Sequence, residues 1–210
     1  MIVIVDYGMG NLRSAQKGLE TAGHQAVVTD DPEMIAGADA VVLPGVGAFK
    51  DCYEGLRSRG LVQPILDAAD SGRPFLGICV GLQLLFEESE EGGLSRGLGI
   101  LPGRVVRFAD AKETGLKVPH MGWNQIRSVP GRPCKLLNGA ADGRYVYFVH
   151  SYYARPADDS VVLATCQYGV EFAAMVGRGN VFAVQFHPEK SQSQGIAILK
   201  AFGGLVREKA

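Results

Sequence analysis

The residues with the sharpest chemical meaning are Gly77-Ile78-Cys79-Val80-Gly81. They follow the apolar run Pro74-Phe75-Leu76 and precede Leu82-Gln83-Leu84-Leu85-Phe86, which reads as a helix. A strand, a sharp turn and a helix with a nucleophile at the tip form a nucleophile elbow, here with cysteine in the place of serine. The two glycines stand where side chains would collide in such a turn, and the turn lifts the sulfur above the sheet edge. A helix beginning directly after the cysteine favours the thiolate. The Val80 N–H is then placed to meet a developing oxyanion. A free cysteine is more often just a small buried residue, but the elbow reverses that preference for Cys79.

A thiolate that attacks an amide needs a proton carrier beside it. Phe186-His187-Pro188-Glu189 offers one, directly after the apolar run Val181 to Gln185. In an extended segment residues two apart share a side, so His187 and Glu189 are expected to project together. The carboxylate then orients the imidazole and stabilises its charged form. A structural His–Glu pair at a strand end is the plain alternative, and the link to Cys79 decides against it. Leu43-Pro44-Gly45-Val46-Gly47-Ala48-Phe49 follows another apolar run. Its glycines let backbone approach a ligand closely, and Val46-Gly47 is expected to supply a second oxyanion donor. The other reading of this segment is an ordinary strand-to-helix loop.

Other residues compete for roles. His120, in Pro119-His120-Met121-Gly122-Trp123-Asn124, and His150, in Val149-His150-Ser151-Tyr152-Tyr153, lack a carboxylate two residues away. They rank as substrate-side, partner-side or structural groups, and His24 as a solvated surface residue. Gly8-x-Gly10 after the first apolar run, with Asp30-Asp31 further on, imitates a dinucleotide fingerprint. Arg13 stands at the third glycine position and denies the close helix–strand packing that fingerprint needs. Asp30-Asp31-Pro32 reads as a turn.

The elements that must position these groups follow from periodicity. Ile2 to Val5, Ala26 to Val28, Ala40 to Leu43 and Pro74 to Ile78 read as buried strands. Leu12, Ala15, Leu19 and Ala22 give a helix that Asn11 can cap and Gly23 ends; Leu61 to Ala69 gives another. Val105 to Phe108, Tyr145 to Val149, Val161 to Thr165, Ala173 to Val176 and Val181 to Gln185 are strands without long helices between them, and Arg178-Gly179-Asn180 is a hairpin loop. Ile196, Leu199, Phe202 and Val206 give a closing helix. The expected fold is α/β: a doubly wound, mostly parallel sheet with an added antiparallel portion. Residues 1–210 are read as one domain, with no linker, repeat or low-complexity segment.

Bulk properties exclude several classes. The chain has 210 residues, 47% of them hydrophobic and 20% charged, with a net charge of −1. Such a chain buries a full core without disulfides. No basic stripe supports nucleic-acid binding. Cys52, Cys79, Cys134 and Cys166 form no C-x-x-C pair, so neither a metal site nor any other cofactor is expected. The thiols are read as reduced and the protein as cytoplasmic. Met1 to Val5 lacks a basic flank and is stopped by Asp6, which suits a strand and not a signal peptide. No apolar run reaches the roughly 18 residues needed to span a membrane.

The elbow Gly77 to Gln83 and Phe186-His187-Pro188-Glu189 resemble those of the class I (triad-type) glutamine amidotransferases. Asp6-Tyr7-Gly8-Met9-Gly10-Asn11-Leu12, Leu43 to Phe49, Pro119 to Asn124, Tyr147 to Tyr153 and His187 to Ser191 are similar, more narrowly, to the branch that serves imidazole glycerol phosphate synthase. The resemblance implies Cys79 as nucleophile, His187 as base and acid, and Glu189 as orienting carboxylate. It implies glutamine as substrate, held by Gly45 in the Gly45–Gly47 loop, by Gln83, and by Ser151 and Tyr152. Asn11, Trp123, Asn124 and Lys190 would face a partner. Val80 and Leu82 replace the family's more usual Leu and Met, apolar exchanges that leave a backbone oxyanion donor intact. The implied partner is a (β/α)8-barrel synthase, in a heterodimer. It joins ammonia to a phosphoribulosyl-formimino aminoimidazole carboxamide ribonucleotide and forms imidazole glycerol phosphate and aminoimidazole carboxamide ribonucleotide. The motifs run from the first residues to Ser191 and leave no room for a synthase, and free ammonia protonates in water, so a shielded path between two proteins is expected. A glutaminase for pyridoxal phosphate, GMP or anthranilate synthesis is disfavoured by Tyr7 to Asn11 and His120 to Asn124. A catalytically inactive binding module is disfavoured by the intact Cys–His–Glu set.

Overall fold

Runs that are apolar at every position need cover on both faces, and the chain supplies it by alternating strand and helix. The computed structural model describes residues 1–109, 115–137 and 143–207. The first part contains β1 Ile2–Val5, α1 Leu12–Thr21, β2 Ala26–Thr29, α2 Pro32–Ala36, β3 Ala40–Gly45, α3 Phe49–Ser58, α4 Val62–Asp70, β4 Phe75–Cys79 and α5 Val80–Gln83. Then come β5 Glu88–Ser89, β6 Ser95–Arg96, β7 Gly103–Arg107, β8 His120–Ser128, β9 Arg144–His150, β10 Tyr152–Pro156, β11 Val162–Tyr168, β12 Val170–Arg178, β13 Val181–Val184 and α6 Gln192–Arg207.

The main sheet has the order β2-β1-β3-β4-β13-β12-β11-β8-β9. Its first five strands are parallel, and β12, β11, β8 and β9 continue it antiparallel. The expected α/β class with an antiparallel addition is therefore correct, and the addition extends the same sheet. A second sheet, β10-β7-β5-β6, stands beside it. The chain passes from the first sheet to the second at Ser151, between β9 and β10. The β12–β13 hairpin closes through Gly179-Asn180, with Arg178 opposite Val181, as the Arg178-Gly179-Asn180 loop predicts.

Register decides what meets at the carboxyl edge. Gly45 at the end of β3 pairs with Cys79 at the end of β4, and Ile78 pairs with Val184 at the end of β13. Three adjacent strands thus deliver the Val46-Gly47 loop, the cysteine and the histidine segment to one place. The antiparallel half curls back onto that segment. The His187 N–H donates to the Tyr147 carbonyl of β9 at 2.9 Å, and the Tyr147 N–H donates to Ser191 Oγ at 3.0 Å.

Several local expectations change. The helix after Cys79 is one turn and stops at Gln83. The carbonyls of Leu84, Leu85 and Phe86, which a longer helix would use itself, accept from the N–H groups of Leu98, Leu101 and Gly99. Asp30-Asp31-Pro32 is not a simple turn: Asp31 caps α2 by accepting from the Glu33 N–H at 2.9 Å, with Pro32 in the first helical position. Asn11 precedes α1, but its side chain makes no capping bond. Gly23 does end α1, in a Schellman arrangement: His24 N–H meets the Leu19 carbonyl and Gly23 N–H the Glu20 carbonyl, both at 2.9 Å. His24 is not a free surface group; its Nε2 lies 3.2 Å from the Lys200 carbonyl of α6.

The antiparallel half buries a histidine pair. His120 Nδ1 lies 3.1 Å from His150 Nε2, and His150 Nδ1 lies 2.8 Å from the Tyr152 carbonyl. Asn124 Nδ2 donates to His120 Nε2 at 3.2 Å. These contacts settle the tautomers: both rings are neutral and carry the proton on Nδ1. The rings pack among Phe108, Phe148 and Phe172. Burial pushes His150 down to about 3, against the support of the Tyr152 carbonyl and with nearby His120 and His187 adding to the fall, and pushes His120 down to about 4.

Two stability predictions follow from this packing. A Cβ on Gly81 would overlap the Leu43 carbonyl oxygen, whereas one on Gly204 in α6 meets nothing within 4 Å. Urea unfolding should show Gly81→Ala weakened by at least about 3 kcal/mol and Gly204→Ala strengthened by roughly 0.5–1 kcal/mol. For the histidines, acidification below about 6.5 protonates the unfolded chain but not the folded one, so stability present above that pH is lost as pH falls towards 4. Each ring contributes a slope of at most about 1.4 kcal/mol per pH unit. Urea midpoints measured from pH 7 to 4.5 should fall less steeply for His150→Asn than for the unaltered chain; parallel profiles would contradict the neutral-pair reading.

Candidate active site

The elbow is held by contact between backbones. A Cβ on Gly77 would come within 2.7 Å of the Gly81 carbonyl oxygen, and one on Gly45 within 2.8 Å of the Gly81 nitrogen. No side chain fits between β3, β4 and α5. The turn leaves Cys79 at φ 56° and ψ −111°, and only Gln192 shares a positive φ among the described non-glycine residues. Such a conformation costs about 1–3 kcal/mol and persists where the surroundings impose it. It turns the thiol into a cavity of about 300 Å³, at the small end of the roughly 300–1,000 Å³ typical of small-molecule sites.

His187 faces the same cavity. Its Nδ1 lies 2.8 Å from Glu189 Oε1, with the two side chains 1% and 2% exposed. The pairing does not arise from strand alternation. The strand ends at Val184, and Glu189 sits in a 3₁₀ turn, Pro188–Lys190, that His187 precedes. Pro188 in the first position of that turn sets the geometry, and the Ser191 hydroxyl closes it by donating to the His187 carbonyl at 2.6 Å. Burial alone would lower the imidazole. The sulfur of Cys79 and the carboxylate of Glu189 outweigh it and push His187 up to about 10. The Cys79 sulfur is therefore close enough to favour the protonated ring, although His187 Nε2 makes no hydrogen bond of regular geometry. The remaining thiols are ordinary buried groups. Burial pushes Cys52 up to about 11 and Cys166 up to about 12, and raises Cys134 as well.

The cavity brings most of the expected residues together. Val46, Gly47, Val80, Gln83, Ser151 and Tyr152 line it together with Cys79. Gly47 adopts φ 92°, a conformation open to glycine. Gly45 is a correction: it is buried against α5 and does not line the cavity, because its missing side chain makes room for the elbow and not for a ligand.

The expected partner-facing residues divide. Trp123 is 45% exposed beside the still more accessible Met121 and Tyr145. Its ring lies 6.1 Å from that of Tyr147, over which Lys190 Nζ stands at 5.9 Å. Asn124, the next residue of β8, points to the opposite face, where it donates to His120 and to the Gln167 carbonyl. Asn11 lies at the head of α1.

Three polar residues at the site had no role assigned to them from the sequence. Glu91 lines the cavity, the only carboxylate among the described residues to do so, and accepts from the Phe49 N–H at 2.7 Å. In the sequence it is hidden in the run Glu87-Glu88-Ser89-Glu90-Glu91, which resembles a solvated charged face. Tyr7 is buried and donates to the Pro44 carbonyl at 2.6 Å, holding the base of the Val46-Gly47 loop. Gln185 is fully buried, with its Nε2 3.8 Å from the Cys79 sulfur. Its position two residues before His187 was the available clue.

Comparison with known proteins places this arrangement. Residues 3–203 match the family model for class-I glutamine amidotransferases. The chain is 62% identical over 208 residues to the imidazole glycerol phosphate synthase subunit HisH of Syntrophotalea carbinolica, covering 98% of this chain and 100% of that protein. It is 57% identical to the subunit of the same name from Geobacter sulfurreducens, over 96% of this chain and 97% of that one. Among solved structures, a glutamine amidotransferase superposes with a TM-score of 0.75 at 22% identity, over 99% of this chain and 100% of the other. PurLQS from Thermotoga maritima gives 0.73 at 21%, over 99% and 97%. At those identities the two structures speak for the fold. With an elbow cysteine facing a His–Glu pair across one cavity, and with relatives this similar over their whole length, the chain belongs to the class-I glutamine amidotransferases and, within them, to the HisH subunits of imidazole glycerol phosphate synthase.

Proposed function

We propose that this chain releases ammonia from glutamine at Cys79 and passes it to a (β/α)8-barrel synthase subunit, which uses it to form imidazole glycerol phosphate and aminoimidazole carboxamide ribonucleotide in histidine biosynthesis. The observation that carries the reading is the strained Cys79 and the His187–Glu189 pair opening onto one cavity from adjacent strands. No metal or other cofactor enters the proposed chemistry.

The Cys79 thiolate attacks the side-chain carboxamide carbon of glutamine, and the carbonyl electrons move onto oxygen. The Val80 N–H and a backbone N–H of the Val46-Gly47 loop receive that oxyanion. His187, held charged by Glu189 and the sulfur, gives its Nε2 proton to the departing nitrogen; the C–N bond breaks and ammonia leaves a glutamyl thioester. The now neutral ring accepts a proton from water as water attacks the thioester, and the C–S bond breaks to release glutamate and restore the thiolate. Glu189 holds Nδ1 throughout and carries no proton itself. Glu91 is the cavity's acceptor for the substrate α-ammonium, with Gln83, Ser151 and Tyr152 around the same end. Trp123, Met121, Tyr145 and Lys190 form an accessible aromatic and cationic surface suited to the synthase.

Cys79→Ala should abolish glutamine-dependent synthesis by the two-subunit complex and spare synthesis driven by ammonium salts. Equal loss with both nitrogen sources, in a complex that still assembles, would defeat the assignment, and full glutaminase activity in the variant would do the same. His187→Asn should slow turnover more than Glu189→Gln does, since one removes the proton carrier and the other an orienting charge. Steady-state glutamate release by each variant checks that order.

Gly47 at the oxyanion loop suggests gating. One misplaced donor costs about 10²–10³ in rate, and a partner that prefers the active loop conformer restores it by its differential affinity. Glutamate release should therefore rise well above twofold from the chain alone, through the chain with synthase, to the chain with synthase and nucleotide ligand. Equal rates in all three mixtures would remove the gate.

A further inference from the structure

Gln185 belongs to none of the catalytic motifs, yet its amide touches the nucleophile. The side chain is fully buried. Its Nε2 lies 3.8 Å from Cys79 Sγ, within reach of a hydrogen bond to sulfur, and its Oε1 accepts from Gln83 Nε2 at 3.1 Å. The direction of these bonds is imposed from one end. Gln83 Nε2 also meets the Tyr152 carbonyl oxygen at 3.0 Å. A carbonyl only accepts, so the Gln83 atom there is the amide nitrogen. That same nitrogen faces Gln185, which must present its oxygen. The NH₂ group of Gln185 is thereby left for the sulfur.

We propose that Gln185 is a further catalytic residue, whose amide N–H stabilises the Cys79 thiolate, with Gln83 as the positioning residue that turns the amide towards it. This rests on the reading of Cys79 as the nucleophile. A buried anion needs donors, and few are at hand. The charged His187 ring faces the sulfur but makes no hydrogen bond of regular geometry to it, and α5 is a single turn, so few peptide dipoles align behind the sulfur. Tyr7 and Cys52 also interact with the sulfur, and burial keeps both in their neutral, protonated forms at neutral pH. The Gln185 bond favours the attacking thiolate and favours it again as leaving group when water opens the thioester.

The test uses Gln185→Glu, which keeps the acceptor for Gln83 and removes the donor to sulfur, and the near-isosteric Gln185→Met, which removes both. Iodoacetamide labelling of Cys79 in the full chain at neutral pH is followed by peptide mass spectrometry. Glutamine turnover is measured with the synthase subunit present. A hydrogen bond to a charged group leads us to expect labelling and kcat to fall about 10–100-fold in both variants. KM for glutamine should stay within about threefold, and ammonium-driven synthesis should be unchanged. Unchanged labelling, or a raised KM with kcat retained, would overturn the proposal and make Gln185 a support for the substrate pocket. If one variant melts at a markedly lower temperature, the other carries the comparison. Glutaminase activity surviving Cys79→Ala would defeat the nucleophile reading separately, while the labelling comparison would still report on the Gln185–sulfur bond.

Discussion

The site depends on backbone lying directly against backbone at the elbow. Gly77, Gly81 and Gly45 leave no side chain between the ends of β3 and β4 and the first turn of α5. That contact holds Cys79 at a positive φ and aims its thiol into the cavity. It also sets the register in which Gly45 pairs with Cys79, so the Val46-Gly47 loop emerges beside the Cys79 thiol. A methyl group at Gly81 would separate all three parts at once. Stability is thus concentrated where the chemistry needs strain, and the surrounding strands, buried on both faces, hold that strain in place.

Charge at the site is built from opposed burial effects. Burial alone would discharge His187, and its neighbours Cys79 and Glu189 reverse the outcome. The same burial acting on His120 and His150, which have no such partners, leaves both neutral. One residue type therefore takes two forms within a small volume: a charged ring at the cavity, and a neutral ring pair that links the Asn124 side chain of β8 to the Tyr152 carbonyl on the cavity wall. That carbonyl also anchors Gln83, and through it Gln185 and the sulfur. The cavity wall and the surroundings of the Cys79 sulfur consequently share one hydrogen-bonded chain, whose members are satisfied by one another.

What could be read without coordinates was local. The elbow at Gly77 to Gly81, the apolar strand runs, the β12–β13 hairpin loop and the His187-Pro188-Glu189 string declare themselves because their neighbours along the chain impose the geometry. The sequence by itself determined the α/β class, the family and the pairing of a cysteine with a histidine and a carboxylate. Tertiary structure decided the rest. The helix after Cys79 stopped at one turn because its free carbonyls were taken by N–H groups from residues 98 to 101, distant in sequence. Gly45 became a packing residue because of what approaches it from α5, and Asn124 turned inward because β8 alternates its faces against β9. Glu91 and Gln185 entered the site only through sheet register and cross-chain hydrogen bonds. A run of glutamates or a lone glutamine has no local pattern that marks burial; only the long-range contacts that enclose it do so.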